Sequence, residues 1–107
     1  MSLISTDDSI WAFSLAGGWA EIDASDGSVS RRGVLQFKSS VHNVWAGPEN
    51  EWLFSLSNNR MAWWIPDEEQ LHMEIARGPI RYALYVDAGW LIPGRRENLV
   101  WNKREFS

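Results

Sequence analysis

Apolar and polar positions alternate along most of this chain with a period of two. In Ile10-Trp11-Ala12-Phe13-Ser14-Leu15 the large side chains Trp11, Phe13 and Leu15 fall on one face, as in a half-buried strand. Gly33-Val34-Leu35-Gln36-Phe37 and Arg81-Tyr82-Ala83-Leu84-Tyr85-Val86 are likewise short, β-branched or aromatic, and bounded by turn formers. Turn signals recur at Ala16-Gly17-Gly18, Ser25-Asp26-Gly27, Gly47-Pro48-Glu49-Asn50, Ser57-Asn58-Asn59, Gly78-Pro79, Asp87-Ala88-Gly89 and Pro93-Gly94. Strands this short, punctuated this often, predict a mainly β chain: one antiparallel domain over residues 1–107, with about 8–10 strands.

One segment reads two ways. Asp67-Glu68-Glu69-Gln70 has the form of a helix start with a capping box, and Gly78-Pro79 that of a helix stop. Yet Leu71, Met73 and Ile75 alternate strictly with His72 and Glu74, which is a strand pattern. Strand is the expectation. A helix over 67–77 would instead make the domain α+β.

Compared with itself, the chain shows an internal similarity. Ile10-Trp11-Ala12-Phe13-Ser14-Leu15 reappears as Glu51-Trp52-Leu53-Phe54-Ser55-Leu56, and more faintly as Gly89-Trp90-Leu91-Ile92-Pro93-Gly94. The tryptophans at 11, 52 and 90 are spaced by 41 and 38 residues. An apolar pair precedes each unit (Leu3-Ile4, Val44-Trp45, Leu84-Tyr85), and a second apolar strand follows at 19–22, 61–65 or 99–101. With this period of near 40, the stretch Val44–Leu53 resembles the Trp-rich blade repeats of bacterial β-propeller proteins. Two whole units and a fragment are too few to close such a ring, so the resemblance implies that several copies assemble into one. The other explanation is that the units are successive hairpins of one curved sheet, alike because they obey the same turn rules. Successive hairpins are the expectation.

Composition sharpens the picture at three points. There is no Cys, which excludes a disulfide framework, a thiolate metal site and a cysteine nucleophile. No apolar run approaches the roughly 20 residues of a membrane helix. The first residues lack the basic and apolar regions of a secretory signal, so a cytoplasmic, bacterial protein without membrane contact is the expectation. Eight residues are Trp. The net charge of −4 is uneven: residues 1–76 carry four basic against eleven acidic side chains, and residues 77–107 six against three. An acidic body disfavours duplex nucleic acid and favours a cationic partner.

Candidate chemistry is sparse. His42 and His72 would need to meet, with Arg77 or Arg81 holding a phosphate, to support ribonuclease-like acid–base catalysis. No metal-ligand spacing or phosphate-binding glycine loop is present, and Asp23-Ala24-Ser25-Asp26-Gly27 reads as a turn. No catalytic residue, metal or cofactor is therefore assigned. Arg95-Arg96, Trp101 and Lys103-Arg104 could stack and neutralise single-stranded nucleic acid, although the acidic body opposes it. Stacked tryptophans beside Asp or Asn could hold sugars in an oligomeric, propeller-like ring. A third use fits the charge best. The acidic turns carrying Asp7, Asp8, Glu49, Glu51, Glu68 and Glu69 would form a rim for a basic protein, with Trp11, Trp52 or Trp64 as anchors. In size, acidity and aromatic content the chain is similar to small bacterial immunity proteins. That resemblance implies a non-enzymatic inhibitor neutralising a basic, nuclease-type toxin by covering its cleft with phosphate-like carboxylates.

Overall fold

The computed structural model describes residues 2–6, 8–75, 83–86, 89–92 and 99–102. Among them run eleven strands, slightly more than expected. They are β1 (Ser2–Ser5), β2 (Ser9–Phe13), β3 (Gly18–Asp23), β4 (Val29–Val34), β5 (Val41–Ala46), β6 (Trp52–Leu56), β7 (Arg60–Ile65), β8 (Gln70–Ile75), β9 (Leu84–Val86), β10 (Gly89–Ile92) and β11 (Leu99–Asn102). Each pairs antiparallel with its chain neighbour inside three sheets: β1-β2-β3-β4, β5-β6-β7-β8 and β9-β10-β11. The fold is mainly β, as the alternation predicts.

The ambiguous segment is a strand within the described residues. Pro66–Glu68 makes one 3-10 turn, Glu69 enters the left-handed region at φ 51°, and β8 pairs with β7 from Gln70 to Ile75. A left-handed residue ends helical propagation at once, and Met73 then packs inward on the core between the first two sheets. The helix alternative over 67–77 is thereby overturned for 67–75; residues 76 and 77 lie outside the described residues. A second expectation shifts. The strand read at 33–37 begins earlier and stops at Val34, because Leu35 donates its N–H to Gly17 O (2.8 Å) and Phe37 donates to Leu35 O (3.0 Å), forming a link to the second sheet. Of the strand read at 81–86, Leu84–Val86 is present as β9, while Arg81 and Tyr82 lie outside the described residues.

Two layers of core explain the burial. Between the first and second sheets lie Trp11, Phe13, Phe37, Trp52, Phe54 and Trp64, with ring centroids as close as 4.9 Å for Phe13–Trp52 and 5.1 Å for Trp11–Trp52. On the far side of the second sheet, Leu53, Met61, Trp63 and Ile65 pack with Ala83 and Trp90. Because the second sheet is covered on both faces, every residue of β6 is buried. The outer face of the first sheet is open, and Leu3 and Val34 there are 66% and 64% exposed.

Trp11, Trp52 and Trp90 stand on the second strand of their respective sheets. Trp11 opposes Trp52, and Phe13 opposes Phe54 at 5.3 Å, so the first two sheets meet through the same face. Blades related by rotation about an axis would instead set the face of one against the back of the next.

Candidate functional site: an acidic end of the sandwich

Antiparallel connectivity places alternate turns at the same end of a sheet. In the first sheet the β1–β2 turn and the β3–β4 turn are therefore neighbours, and Ala24 donates its N–H to Asp8 O across them (3.3 Å). In the second sheet the β5–β6 and β7–β8 turns pair off in the same way. Trp11 meets Trp52 and Phe13 meets Phe54, so β2 and β6 run in the same direction and all four turns share one end.

These turns carry most of the carboxylates. Asp8, Asp26, Asp67, Glu68 and Glu69 are exposed there, with Asp23 partly covered. Two turns are shaped by their own acids. Asp23 Oδ1 accepts the N–H and hydroxyl of Ser25, and Asp26 Oδ1 accepts those of Ser28. The Ser28 backbone N–H, then its hydroxyl, holds the Asp26 carboxyl below its ordinary value.

One cation stitches the two sheets together at this end. Arg31 donates Nε to Glu21 Oε1 at 2.7 Å and Nη1 to Asp67 Oδ1 at 2.8 Å, while its guanidinium lies 5.6 Å from the Trp11 ring centroid. Asn50 donates to the other Asp67 oxygen at 3.2 Å, and Ser9 donates to Glu21 Oε2 at 3.2 Å. The hydrogen bond from Arg31, then that from Asn50, holds Asp67 below the usual carboxylate range. The Arg31 guanidinium is pushed upward in turn, chiefly by its hydrogen bond to Glu21. Arg31 is thus engaged by two carboxylates of its own molecule.

The opposite end is different. Turn 14–17, link 35–40 and turn 57–59 contain no carboxylate, and Lys38 stands in the link with Arg60 just beyond the last turn. Among the described residues, the turns are acidic at one end of the sandwich and free of carboxylates at the other.

The expected rim residues divide accordingly. Asp8, Glu68 and Glu69 are exposed at the acidic end. Glu49 belongs to the Pro48–Asn50 3-10 turn at that end, its side chain not being among those described, and Asp7 lies outside the described residues. Glu51 is corrected: at 3% exposure it is an interior residue, not a rim charge. The anchors are corrected too, since Trp11, Trp52 and Trp64 are 0%, 0% and 5% exposed and fill the core. A thin β sandwich needs large rings to fill it, and this demand takes them from the surface. His42 and His72 sit on β5 and β8, the two edges of one sheet, roughly 14 Å apart by strand spacing, so they form no acid–base pair. Sequence reading missed Arg31 and Glu21. They are cross-strand partners in β3 and β4, but that register was not legible from spacing.

No helix among the described residues is long and apolar enough to cross a membrane, and no group of three metal-ligating side chains gathers among them. The chain matches no protein-family model, and a search of curated proteins returns no match.

Proposed function

We propose that this chain is a non-enzymatic protein-binding domain that takes a basic partner at its acidic end, acting as an inhibitor of the immunity type against a cationic nuclease. The supporting observation is the gathering of four acidic turns at one end, where Arg31 is already engaged by Glu21 and Asp67. Exposed carboxylates on hydrogen-bonded turns present an array of negative charge resembling a phosphate backbone. Such an array speeds encounter with a cationic cleft and fixes its register. The turns around Asp23 and Asp26 are held by their own hydrogen bonds, so less ordering is needed on binding.

The test is a binding and inhibition assay against a panel of cationic nucleases over a salt series. Affinity should fall as salt rises, and Glu68→Lys combined with Glu69→Lys should weaken it at least ~10-fold, like charges now facing each other. Both positions are exposed, so circular dichroism should report an unchanged fold. Affinity that survives the double reversal at low salt overturns the reading.

A further inference from the structure

The four edge strands of the first two sheets are unequally protected. β1 is four residues long and packs beside β5. The β3–β4 ladder shifts register at Glu21/Ile22, and the β5–β6 ladder shifts at Val41/Asn43. Such irregularities twist an edge away from an incoming strand, and β4 adds Arg31 and Arg32. β8 has no register shift and no Lys, Arg or Pro. Its six residues pair with β7 in unbroken register, and among the described residues no strand lies on its other side. Alternate N–H and C=O groups along that side form a straight row, the template on which a further strand adds.

The side chains of β8 say what that strand is. Leu71, Met73 and Ile75 share the face of Ala62 and Trp64, and His72 and Glu74 share the other. Met73 packs on the core, but Leu71 and Ile75 are 40% and 78% exposed. On the opposite face His72 Nε2 stands 3.5 Å from Glu74 Oε1, the two side chains 37% and 47% exposed. The run Leu71-His72-Met73-Glu74-Ile75 is therefore self-complementary about Met73. Laid antiparallel on itself by a two-fold axis there, it sets Leu71 opposite Ile75, Met73 opposite Met73 and His72 opposite Glu74. Opposite residues of an antiparallel pair share a face, so apolar meets apolar on one side and imidazole meets carboxylate on the other. No other axis does this. At Glu74 it sets that carboxylate against its own copy. At His72 it sets Glu74 against Gln70 and runs Ile75 past the end of the strand. An axis between two residues pairs a backbone that faces outward with one that faces β7, and no ladder forms.

We propose that this edge takes a second copy of the chain. β8 pairs with β8 of that copy about a two-fold axis at Met73, joining the two second sheets into one of eight strands. The same patch serves both copies, so the contact closes at two. Leu71 and Ile75 of the two copies cover one another across the seam. On the other face His72 and Glu74 of both copies form a group of four in which each neighbour, along or across the strands, is of the opposite type. Antiparallel docking also sends the acidic turns of the two copies to opposite ends of the joined sheet, where they repel least and both stay open. The inference therefore stands apart from the binding of a basic partner at those turns.

The experiment is sedimentation equilibrium of the full chain from about 1 µM to 1 mM at neutral pH, with circular dichroism checking the fold of each variant. The mass should rise with concentration from that of one chain to that of two. His72→Glu sets carboxylate against carboxylate at both symmetric positions, and should weaken the dimer at least ~10-fold. Exchanging the pair, His72→Glu with Glu74→His, restores the opposition and should return the affinity to within about 3-fold of wild type. Ile75→Lys places a charge in the apolar seam and should also weaken the dimer at least ~10-fold. The mass of one chain at every concentration overturns the proposal and leaves the edge to a strand of another protein. A dimer indifferent to both His72→Glu and Ile75→Lys overturns it too, because another surface then joins the copies. An exchanged pair no stronger than His72→Glu alone overturns the register about Met73.

Discussion

Arg31 joins the two sheets through two carboxylates, and its worth depends on exposure. The Arg31 and Asp67 side chains are 38% and 51% exposed, so solvent screens much of their attraction. Asp67→Asn should therefore lower stability by only about 0.2–1 kcal/mol at neutral pH, read from urea midpoints. The sign of the pH dependence follows from the direction of the shift. The folded Asp67 carboxyl is held below its ordinary value, so its contribution is complete above the unfolded value of about 3.9 and disappears as pH falls through the folded one. Wild type and variant should differ at pH 7 and converge as pH falls below the ordinary carboxylate range. A gap that persists in acid would assign the effect to turn geometry rather than charge. Two glycines make a sharper contrast. Gly17 has φ 94°, and a Cβ there would stand 2.5 Å from Leu35 O, in the link between the first two sheets. Gly27 has φ 76° with open space around it. Gly27→Ala should cost about 1–2 kcal/mol from backbone conformation alone, and Gly17→Ala clearly more, since backbone must also move. Thermal unfolding of the two variants ranks them directly.

At the scale of elements, much of the fold was legible because alternation reports which faces are covered. In Ile10-Trp11-Ala12-Phe13 both rings turn inward and the small Ala12 lies between them on the outer face of the first sheet, which is open to water. Its counterpart Trp52-Leu53-Phe54 places Leu where the first has Ala, and Leu53 packs in the second core layer. The change from Ala12 to Leu53 was present in the sequence, but the similarity of the two segments concealed its meaning. Trp63 and Trp64 carry the same message: adjacent strand residues point to opposite faces, so two buried neighbours require cover on both sides. Register was not legible, and with it went the meeting of Arg31 with Glu21 and Asp67. The acidic turns were legible as a set, because strand counting alone puts alternate turns at one end. The exposed anchors were misread since composition counts rings without saying where they point. The core assignment makes a quantitative claim. Trp52→Ala should cost ~3–5 kcal/mol by denaturant unfolding, the range for large aromatic truncations. Trp52→Phe should cost only about 1–2 kcal/mol, because it also removes an indole N–H that is buried without an acceptor among the described residues.

Among the described residues carboxylates crowd one end of the sandwich, and that crowding bears on whether the acidic end serves the fold or a partner. Asp67 and Asp26 have clear local duties in a bridge and a turn. Asp8 and Glu69 are exposed at the same end and take part in no side-chain hydrogen bond or ion pair among the described residues. If their charges contribute nothing to the fold, they only repel their neighbours, and the folded state is the form in which that repulsion is concentrated. The double variant Asp8→Asn with Glu69→Gln should then be at least as stable as wild type at about 20 mM salt. Any advantage should shrink toward zero by about 0.5 M, where the screening length drops to a few ångströms. Binding to a cationic nuclease should move the other way, weakening at low salt through a slower association rate while dissociation changes little. Opposite signs in the two measurements would mean that carboxylates unhelpful to folding are retained by a demand outside the fold, which is what an acidic docking end requires. A variant that is destabilised at every salt concentration would assign these charges to the sandwich itself, and the partner would have to be sought on another surface.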